Sequence, residues 1–556
     1  MKKKQNRSVV FKAYVQNQPQ LLPPSLDELI PKGHLVRVVN AAIDRMNIDS
    51  ILESYQGGGT SSYHPKMLLK VLIYGYSQRL YSSRRIAKAI RENIHFMWLA
   101  GGNRPDFRTI NRFRSSRLKG RIEDIFYTVI ELLLEEGLID LRDYFLDGTK
   151  LEANANKYSF VWGKSTRRYK ATLQKKVKEL LKQIDDENDD EDRYYGDKDL
   201  AEVGEDEEIS SERIAAKLKE LEKRLSKKPK DKPLKKAVQQ LKKDYLPRQR
   251  KYEEQEKLLG ERNSYSKTDV DATFMRMKDD HMKNGQLKAA YNVQMGTQNQ
   301  FIVGYSLHQG TTDSPLLIPH LKTLKSYLGK LPQHISTDAG YGSEENYAFL
   351  ESESVEAYVK YNWFHKEQQS KYRNDPFQVA NLAYDQTGDF FTCPAGKRLS
   401  YLTSSHTTSA TGYRSQTRIY ESRDCTGCHL RERCFKGEGN RRITIRPLLQ
   451  KYRKQARELL TSKEGKQLRS RRGIEVEAVF GQIKENRNFR RFLLRGLDKV
   501  SIEYGLVAMA HNLMKWQGKL VKEAQKRCKE EVISAFSQFC RIIKLNSTKS
   551  ITAVPR

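Results

Sequence analysis

The chain has 556 residues, which is more than one compact core holds and predicts roughly two to four domains. Its 101 lysines and arginines outnumber 69 aspartates and glutamates, giving a net charge of +32. A surplus of this size favours nucleic acid or an anionic membrane as a partner. A membrane-spanning helix is excluded because no apolar run reaches about 18 residues, and residues 2–7 do not lead into a secretory signal. We therefore expect a cytoplasmic protein that binds nucleic acid.

Short helices rich in arginine are predicted between residues 64 and 117. Apolar residues at helical spacing from Met67 to Tyr74 indicate one helix. Ser82 and Asp106 are placed to cap two more. Such a region is typical of a helical DNA-binding domain, and a structural bundle with a solvated basic surface is the alternative. The basic residues expected to contact DNA here are Arg84, Arg85, Lys88, Arg108 and Arg112.

A highly charged segment follows, from about residue 165 to 265. Leu, Ile and Val recur at spacings of three and four over 169–184 and 209–259, which predicts an antiparallel helical hairpin. Between these arms, the acidic run 185–192 is predicted to be a solvated loop.

The middle of the chain carries the signals of a mixed sheet. A helix is predicted from Asp313, with Pro315 just inside its start, to Gly329. Two of the predicted strands end in an aspartate, Asp147 and Asp338. Because ligands gather at strand ends in such sheets, these carboxylates can converge in space. The predicted strands are 144–146, 290–295, 301–306, 334–337 and 357–359, and the second and third form a hairpin through the turn 296–300.

A third carboxylate lies on a helix near the C-terminal end of the sequence. Glu477, Gly481 and Lys484 share one helical face, beside an apolar stripe that faces a core. A phosphate could approach this face, and an ordinary surface helix is the alternative. Three carboxylates suit Mg²⁺, which prefers oxygen ligands. Two such ions about 3.5–4 Å apart can activate the attacking oxygen and stabilise the leaving oxygen in phosphodiester chemistry.

Three segments taken together resemble the DDE-type transposases of bacterial insertion sequences. These segments are 145–150, 336–341 and 476–484, and the region 64–114 is similar to the N-terminal domain of that family. The resemblance implies a ribonuclease H-like core in which Asp147, Asp338 and Glu477 hold two Mg²⁺ or Mn²⁺ ions. It also identifies Lys484 with the lysine that follows the family's glutamate by seven residues.

The resemblance implies a reaction as well. Water would cleave a phosphodiester at the element end, and the freed 3′-hydroxyl would attack target DNA, with the protein acting as a homo-oligomer on paired DNA ends. The alternatives are a DNA-binding protein derived from a transposase that no longer cuts and a metal-dependent nuclease without strand transfer. Lys484 is expected to hold backbone phosphate, and further DNA contacts are expected from Arg472, Arg490 and Arg491.

The sequence departs from the family pattern beside the glutamate. Related transposases often carry an arginine four residues before it, where this chain has Gly473, with Arg472 next to it. Glu475 competes with Glu477 as the third carboxylate, but two residues away it would point to another face. Asp313 is interpreted as a helix cap. The remaining acidic candidates, interpreted as loop residues near His281, are Asp269, Asp271, Asp279 and Asp280.

Four of the six cysteines bunch in the sequence as a candidate zinc site. Cys393, Cys425, Cys428 and Cys434 could supply a tetrahedral set of thiolates. His429 could replace one ligand, and free thiols in a reducing cytoplasm are the alternative. A bound Zn²⁺ would hold the surrounding loop and take no part in the chemistry.

The predicted fold is a multi-domain α/β protein: a ribonuclease H-like mixed sheet flanked by helices, with an all-α N-terminal domain. Its two predicted insertions are the helical hairpin and a small Cys-rich segment. The predicted ranges are 1–135 for the DNA-binding domain, 136–165 with 266–384 for the first part of the core, 166–265 for the hairpin, 385–440 for the Cys-rich insertion, 441–520 for the rest of the core and 521–556 for a basic tail.

Overall fold

The computed structural model describes residues 25–55, 62–195, 209–277 and 285–549, with the backbone alone for 185–195 and 532–549. Asp279, Asp280 and His281 lie outside the described residues. The strands are β1 (Asp143–Glu152), β2 (Phe160–Trp162), β3 (Ser264–Ser266), β4 (Thr273–Arg276), β5 (Leu287–Gln298), β6 (Phe301–His308), β7 (His334–Thr337), β8 (Glu356–Val359), β9 (Ala383–Asp385), β10 (Phe390–Thr392), β11 (Arg398–Thr408), β12 (Arg414–Ser422) and β13 (Arg442–Ile445).

Helices surround these strands. In chain order they are α1 (Leu35–Arg45), α2 (Asp49–Leu52), α3 (Pro65–Ser77), α4 (Ser83–Glu92), α5 (Ile94–Leu99), α6 (Phe107–Arg112), α7 (Ile122–Glu135), α8 (Gly163–Tyr195), α9 (Ser211–Lys227), α10 (Lys232–Gln240), α11 (Leu246–Leu259), α12 (Leu317–Leu328), α13 (Glu344–Ser352), α14 (Phe364–Glu367), α15 (Ser370–Arg373), α16 (Arg431–Cys434), α17 (Pro447–Thr461), α18 (Lys463–Arg472), α19 (Ala478–Gly481) and α20 (Leu497–Lys549). The mixed α/β class is confirmed, and no helix in the described ranges is both long and apolar enough to cross a membrane.

The N-terminal helices follow the capping signals of the sequence. Asp106 accepts the backbone N–H of Thr109 at 2.7 Å and begins α6 as predicted. Ser82 precedes α4, but its side chain makes no capping bond. Arg114 is buried, and its guanidinium donates to the Tyr76 hydroxyl at 3.0 Å. This arginine therefore joins two helices of the region.

The central sheet has the order β6-β5-β1-β7-β8, with β4 paired to the first residues of β5. β1 is antiparallel to β5 and parallel to β7, and β7 is parallel to β8. Phe145 pairs with Ser336, and Thr337 pairs with Val359. Three parallel strands therefore run towards the same edge of the sheet, where their next polar residues meet.

The predicted strands are confirmed, and four of the five are longer than predicted. β1 continues past Asp147 to Glu152 because it stays paired with β5 over that whole stretch. The predicted turn 296–300 narrows to Asn299 and Gln300, whose φ angles of 51° and 60° form a two-residue hairpin turn. Gly329 ends α12 in the left-handed conformation (φ 70°), as predicted.

One hydrophobic core runs through the N-terminal helices, the central sheet and α20. It contains Val36 from α1, Leu72 from α3, Phe145 from β1 and Leu513 from α20. Helix α20 packs against α1, α3, α7 and β6 at once. The predicted boundary at residue 135 therefore does not coincide with a break in the core.

Within its described residues, 163–195 and 209–259, the charged segment forms helices α8 to α11 and not the two arms of the predicted hairpin. They bury an apolar cluster of their own, which includes Leu173, Val177, Ile214 and Leu218. The loop predicted over the acidic run 185–192 is wrong, because α8 continues through it to Tyr195. The apolar stripe of its first turns begins the helix, and adding residues to an existing helix costs far less than nucleating one.

The C-terminal tail predicted over 521–556 is also wrong for most of its length. Helix α20 continues to Lys549, and residues 550–556 lie outside the described part of the chain. No glycine or proline interrupts the sequence from 519 to 549, so nothing in it ends the helix.

Strands β9 to β13 form a separate antiparallel sheet. Leu399, Tyr420 and Ile443 give it a small core of its own. Its long hairpin of β11 and β12 returns to the central sheet, where Tyr413 donates to Glu344 of α13 at 3.3 Å.

Candidate active site

Two predicted acidic residues stand side by side at the edge where the parallel strands end. Asp147 and Asp338 each follow the paired residues Phe145 and Ser336 by two positions. The Asp147 side chain is almost buried, and Asp338 accepts the backbone N–H of Gly340 at 2.9 Å, which begins a short 3-10 turn. The structure therefore brings these two carboxylates to neighbouring strands.

Arg472 connects Glu477 to this edge. Its guanidinium lies 3.0 Å from an Asp147 carboxylate oxygen and 3.9 Å from one of Glu477. The backbone over Gly473–Glu477 is a π-helical turn, in which hydrogen bonds join residues five apart. Arg472 precedes Glu477 by five residues, so both side chains reach the same face. The extra residue of the π turn thus compensates for the glycine at the position that the family pattern gives to arginine.

Glu475 points elsewhere, as its spacing predicted. Its carboxylate is buried, accepts the backbone N–H of Gln300 at 2.6 Å and pairs with Arg471 at 3.3 Å. These bonds fasten the π turn to the β5–β6 hairpin. The Glu477 side chain is 66% exposed, so it is the carboxylate that a substrate can reach.

Lys360 is a site residue that sequence reasoning missed. Burial lowers the pKa of its ammonium, and the guanidinium groups of Arg472 and Arg469 lower it further. The carboxylates of Asp338 and Glu477 oppose this shift, so Lys360 lies within electrostatic reach of both. Lys360 directly follows β8. Ligands gather at strand ends in such sheets, and the reasoning that singled out Asp338 at the end of β7 therefore applies to Lys360 as well.

Asp313 was predicted to cap a helix, and its side chain makes no capping bond. It instead accepts the amide groups of Asn292 at 2.7 Å and Gln294 at 3.0 Å, both buried on β5. A Cβ atom added to Gly148 would fall 2.6 Å from an Asp313 oxygen. Asp313 is therefore a fourth carboxylate beside the strand that carries Asp147. The sequence signal that could have indicated this role is the pair of amide side chains at alternate residues of β5.

Tyr341 forms part of the floor of this site. Its hydroxyl donates a short hydrogen bond to Gln294. Burial raises the pKa of Tyr341 well above its ordinary value. The carboxylates of Asp313, Asp147 and Asp338 shift the pKa in the same direction, which indicates that the ring lies among them. The hydroxyl therefore keeps its proton and acts as a hydrogen-bond donor.

The predicted DNA contacts of the N-terminal helices gather around one ring. Arg84 of α4 and Arg108 of α6 lie 4.9 and 5.7 Å from the Phe107 centroid. With Arg112 they line an open groove, which we call the arginine groove. Arg85 and Lys88 are exposed on α4, outside the residues that line it.

Two family models match the chain. Residues 392–517 match the family described as the transposase DDE domain, and residues 24–116 match a family described as a transposase domain. The resemblance to DDE-type insertion-sequence transposases is confirmed. The first match contains Glu477 and the second contains the arginine groove. No curated protein and no solved structure matches.

A transposase of this type implies DNA as a partner and dependence on a divalent metal ion. Asp147, Asp338, Glu477 and Asp313 carry carboxylate oxygens, the donor type that Mg²⁺ and Mn²⁺ prefer. Among the described residues, one group of three side chains has potential metal-binding atoms within 4.8 Å of one another, and it does not lie at the edge of the sheet that carries Asp147 and Asp338. Arg472 stands between two of these carboxylates, Asp147 and Glu477, and neutralises part of their charge.

The other predicted phosphate contacts differ in exposure. Lys484 is nearly buried in a second π turn, Gln482–Asn486. Arg490 is exposed and forms a close ion pair with Glu485. Arg491 donates to the backbone carbonyl of Ala153 at 3.2 Å, so it holds the segment after β1.

The four clustered cysteines line a common small cavity in the β9–β13 region of the chain. Burial is the largest single influence on the Cys425 thiol and would raise its pKa, but the backbone N–H of Arg441, a hydrogen bond with Ser422 and the charges of Arg431 and Lys397 together outweigh burial, and the pKa is lowered. Arg441 also donates to the Cys434 sulfur at 2.9 Å. Both effects favour the thiolate form that binds metal. His429 is exposed and does not line the cavity.

Proposed function

We propose that this protein is a DNA transposase that cleaves the ends of an insertion sequence and joins the 3′-hydroxyl ends to target DNA. Two observations carry the proposal: Asp147 and Asp338 lie at the same level of neighbouring strands, and Arg472 lies between Asp147 and Glu477. Acidic side chains that converge from two strands and a helix match the family's pattern. The family matches support the same class of activity.

We infer a ribonuclease H-like catalytic core from the strand order. A hairpin pairs with the first strand on one side, and two parallel strands follow on the other. The ranges 136–165, 266–384 and 441–520 supply these strands and the glutamate-bearing helix. The separate apolar clusters of α8–α11 and β9–β13 support their assignment as insertions.

Asp147, Asp338 and Glu477 would hold two Mg²⁺ or Mn²⁺ ions. Bound there, the ions would activate the attacking oxygen and stabilise the leaving one. The cations of the chain would do the positioning. Arg472 lies against Asp147 and Glu477, Lys360 lies near Asp338 and Glu477, and each can bind a phosphate oxygen. Tyr341 and the buried amides of β5 keep Asp313 in place beneath them.

Asp147→Asn is expected to abolish cleavage and strand transfer and to leave DNA binding within about twofold of wild type, since nonspecific contacts come from other residues. The measurement is cutting and joining of DNA that carries the terminal inverted repeats of the element, with Mg²⁺ and separately with Mn²⁺. Equal loss of binding would show that Asp147 is structural. Cutting without joined products would favour a nuclease. Binding with no cutting by wild type would favour a DNA-binding protein derived from a transposase.

The arginine groove is proposed to hold the DNA backbone. Replacing both Arg84 and Arg108 by glutamine is expected to lower the slope of log K against log salt by about two, at about 0.9 for each phosphate contact. Fluorescence anisotropy at several salt concentrations measures this slope. Lys322→Gln, on the exposed face of α12, is the matched control. An unchanged slope in the double variant would remove the groove from the DNA interface.

We further infer a structural Zn²⁺ at Cys393, Cys425, Cys428 and Cys434. The shared cavity and the lowered pKa of Cys425 support this assignment. We also propose that the protein acts as a homo-oligomer on paired DNA ends, as other transposases of this type do.

A further inference from the structure

A second group of metal-ligating side chains lies at the opposite edge of the central sheet, where its parallel strands begin. Asp143 of β1 pairs in register with His334 of β7, and His334 pairs with Glu356 of β8. Glu464, in the first turn of α18, completes the group. The catalytic proposal uses none of these residues.

Distances within this group are close to those of a metal site. One ligand atom each from His334, Glu356 and Glu464 lies within 4.8 Å of the others. The two glutamates lie near different ring nitrogens of His334: a Glu356 oxygen is 3.6 Å from Nε2, and a Glu464 oxygen is 3.8 Å from Nδ1. Donor atoms of a tetrahedral zinc site with bonds of about 2.0–2.1 Å are about 3.3 Å apart. Rotation of the Glu464 side chain towards Nε2, with a smaller shift of Glu356, would therefore close the group on an ion.

The surroundings of the group orient its ligands. Asp143 lies 2.9 Å from His334 Nδ1, and since a carboxylate only accepts hydrogen bonds, Nε2 is the ring nitrogen that can bind an ion. Metal-binding histidines usually have such a carboxylate on their other nitrogen. The Tyr358 hydroxyl donates to Glu356 at 2.8 Å and lies 3.4 Å from Glu464.

Two arginines compete for the same carboxylates. Arg142 lies 3.4 Å from Glu464, and its side chain is mostly exposed, so it can turn into solvent when an ion binds. Arg471 pairs with Asp143 at 2.6 Å, on the side away from Nε2, and can stay in place. A divalent ion would replace one exposed ion pair, which contributes little to stability.

We propose that His334 Nε2, Glu356 and Glu464 bind a Zn²⁺ ion, with water as the fourth ligand. The ion joins the first turn of α18 to two strands of the sheet. Arg472 is the last residue of α18 and leads into the π turn of Glu477. Zinc at this edge therefore fixes the helix that presents Arg472 to Asp147, from about two helical turns away from the chemistry.

The test counts zinc ions bound by the full-length protein. Metal-free protein is titrated with Zn²⁺ against a chromophoric chelator, with excess Mg²⁺ present to occupy the carboxylates at the other edge. Both His334→Gln and Glu464→Gln are expected to bind one Zn²⁺ fewer than wild type, with the affinity of this site falling by at least about 100-fold. His406→Gln, on the exposed part of β11, should bind as wild type does.

Cysteine variants separate this site from the thiol cavity. Cys425→Ser/Cys428→Ser is expected to keep the ion at His334 while losing any ion held by thiolates. Glu464 is partly exposed, so its variant is informative even if His334→Gln fails to fold. Unchanged zinc stoichiometry and affinity in folded Glu464→Gln would overturn the proposal and leave the group as an ion-pair network. The count is made without DNA, so it is independent of whether the protein cleaves.

Discussion

Replacing Glu477 by glutamine is expected to abolish cleavage of element ends and to leave their binding within about twofold of wild type. The carboxylate is 66% exposed and its nearest ionic partner, Arg472, is 3.9 Å away, so the fold does not depend on it. An amide cannot supply the negative charge that a divalent ion needs. We expect a loss in cleavage rate of at least about 1000-fold, as for other groups that stabilise transition-state charge, in assays with Mg²⁺ and Mn²⁺.

Glu475→Gln is the matched control, two residues earlier on the same turn. It removes a buried charge that pairs with Arg471 and accepts the Gln300 N–H. We expect it to lower the free energy of unfolding by about 1–3 kcal/mol and to retain cleavage at temperatures where it is folded. Cleavage that survives Glu477→Gln but disappears in folded Glu475→Gln would assign the third carboxylate to Glu475.

Gly296→Ala is expected to lower the free energy of unfolding by about 3 kcal/mol or more, at the upper end of overpacking effects. A Cβ atom at this residue of β5 would fall 1.8 Å from the ring of Tyr144 on β1. The ring cannot move aside easily, since it is buried and its hydroxyl lies 2.6 Å from His320 Nε2. Thermal and urea denaturation would measure the loss.

Gly304→Ala tests the same packing from the neighbouring strand. Its Cβ would meet the Tyr144 hydroxyl at 2.7 Å, whereas that of Gly296 meets the ring carbons as well. Tyr144→Phe should therefore relieve part of the effect of Gly304→Ala and little of the effect of Gly296→Ala. Wild-type stability of Gly296→Ala would contradict the close packing of Tyr144 against this strand.

Five of the six strands of the central sheet, all except β4, and the placement of Asp147 and Asp338 could be predicted from the sequence. Both depend on local patterns: short apolar runs, turn residues and a carboxylate directly after a strand. The proximity of Arg472 to Glu477 could not, because a π turn breaks the regular helical spacing on which the prediction rested. Helical periodicity contains no information about one inserted residue.

Asp313 shows a second limit of local patterns. By sequence, an aspartate before Ser and Pro is a good helix cap. In the fold, however, its partners are two amide side chains on β5, a separate segment of the chain. The same holds for Lys360, whose neighbours come from another strand and from the helical segment that carries Arg472 and Glu477. Side-chain partners distant in sequence require the fold before they can be named.

Because the N-terminal helices and the central sheet share one core, the proposed transposase would hold its DNA-binding groove and its cleavage site at a fixed separation. Ile86 of α4 and Ile110 of α6 are buried in the same cluster as Phe145 of β1, so the arginine groove cannot swing relative to the acidic edge without opening that core. The distance from a bound phosphate to the cut bond would then be a property of the protein. If base pairs are inserted between the recognised repeat and the element end, the cut should stay at the same distance from the recognised repeat. The cut bond would then no longer be the one at the element end.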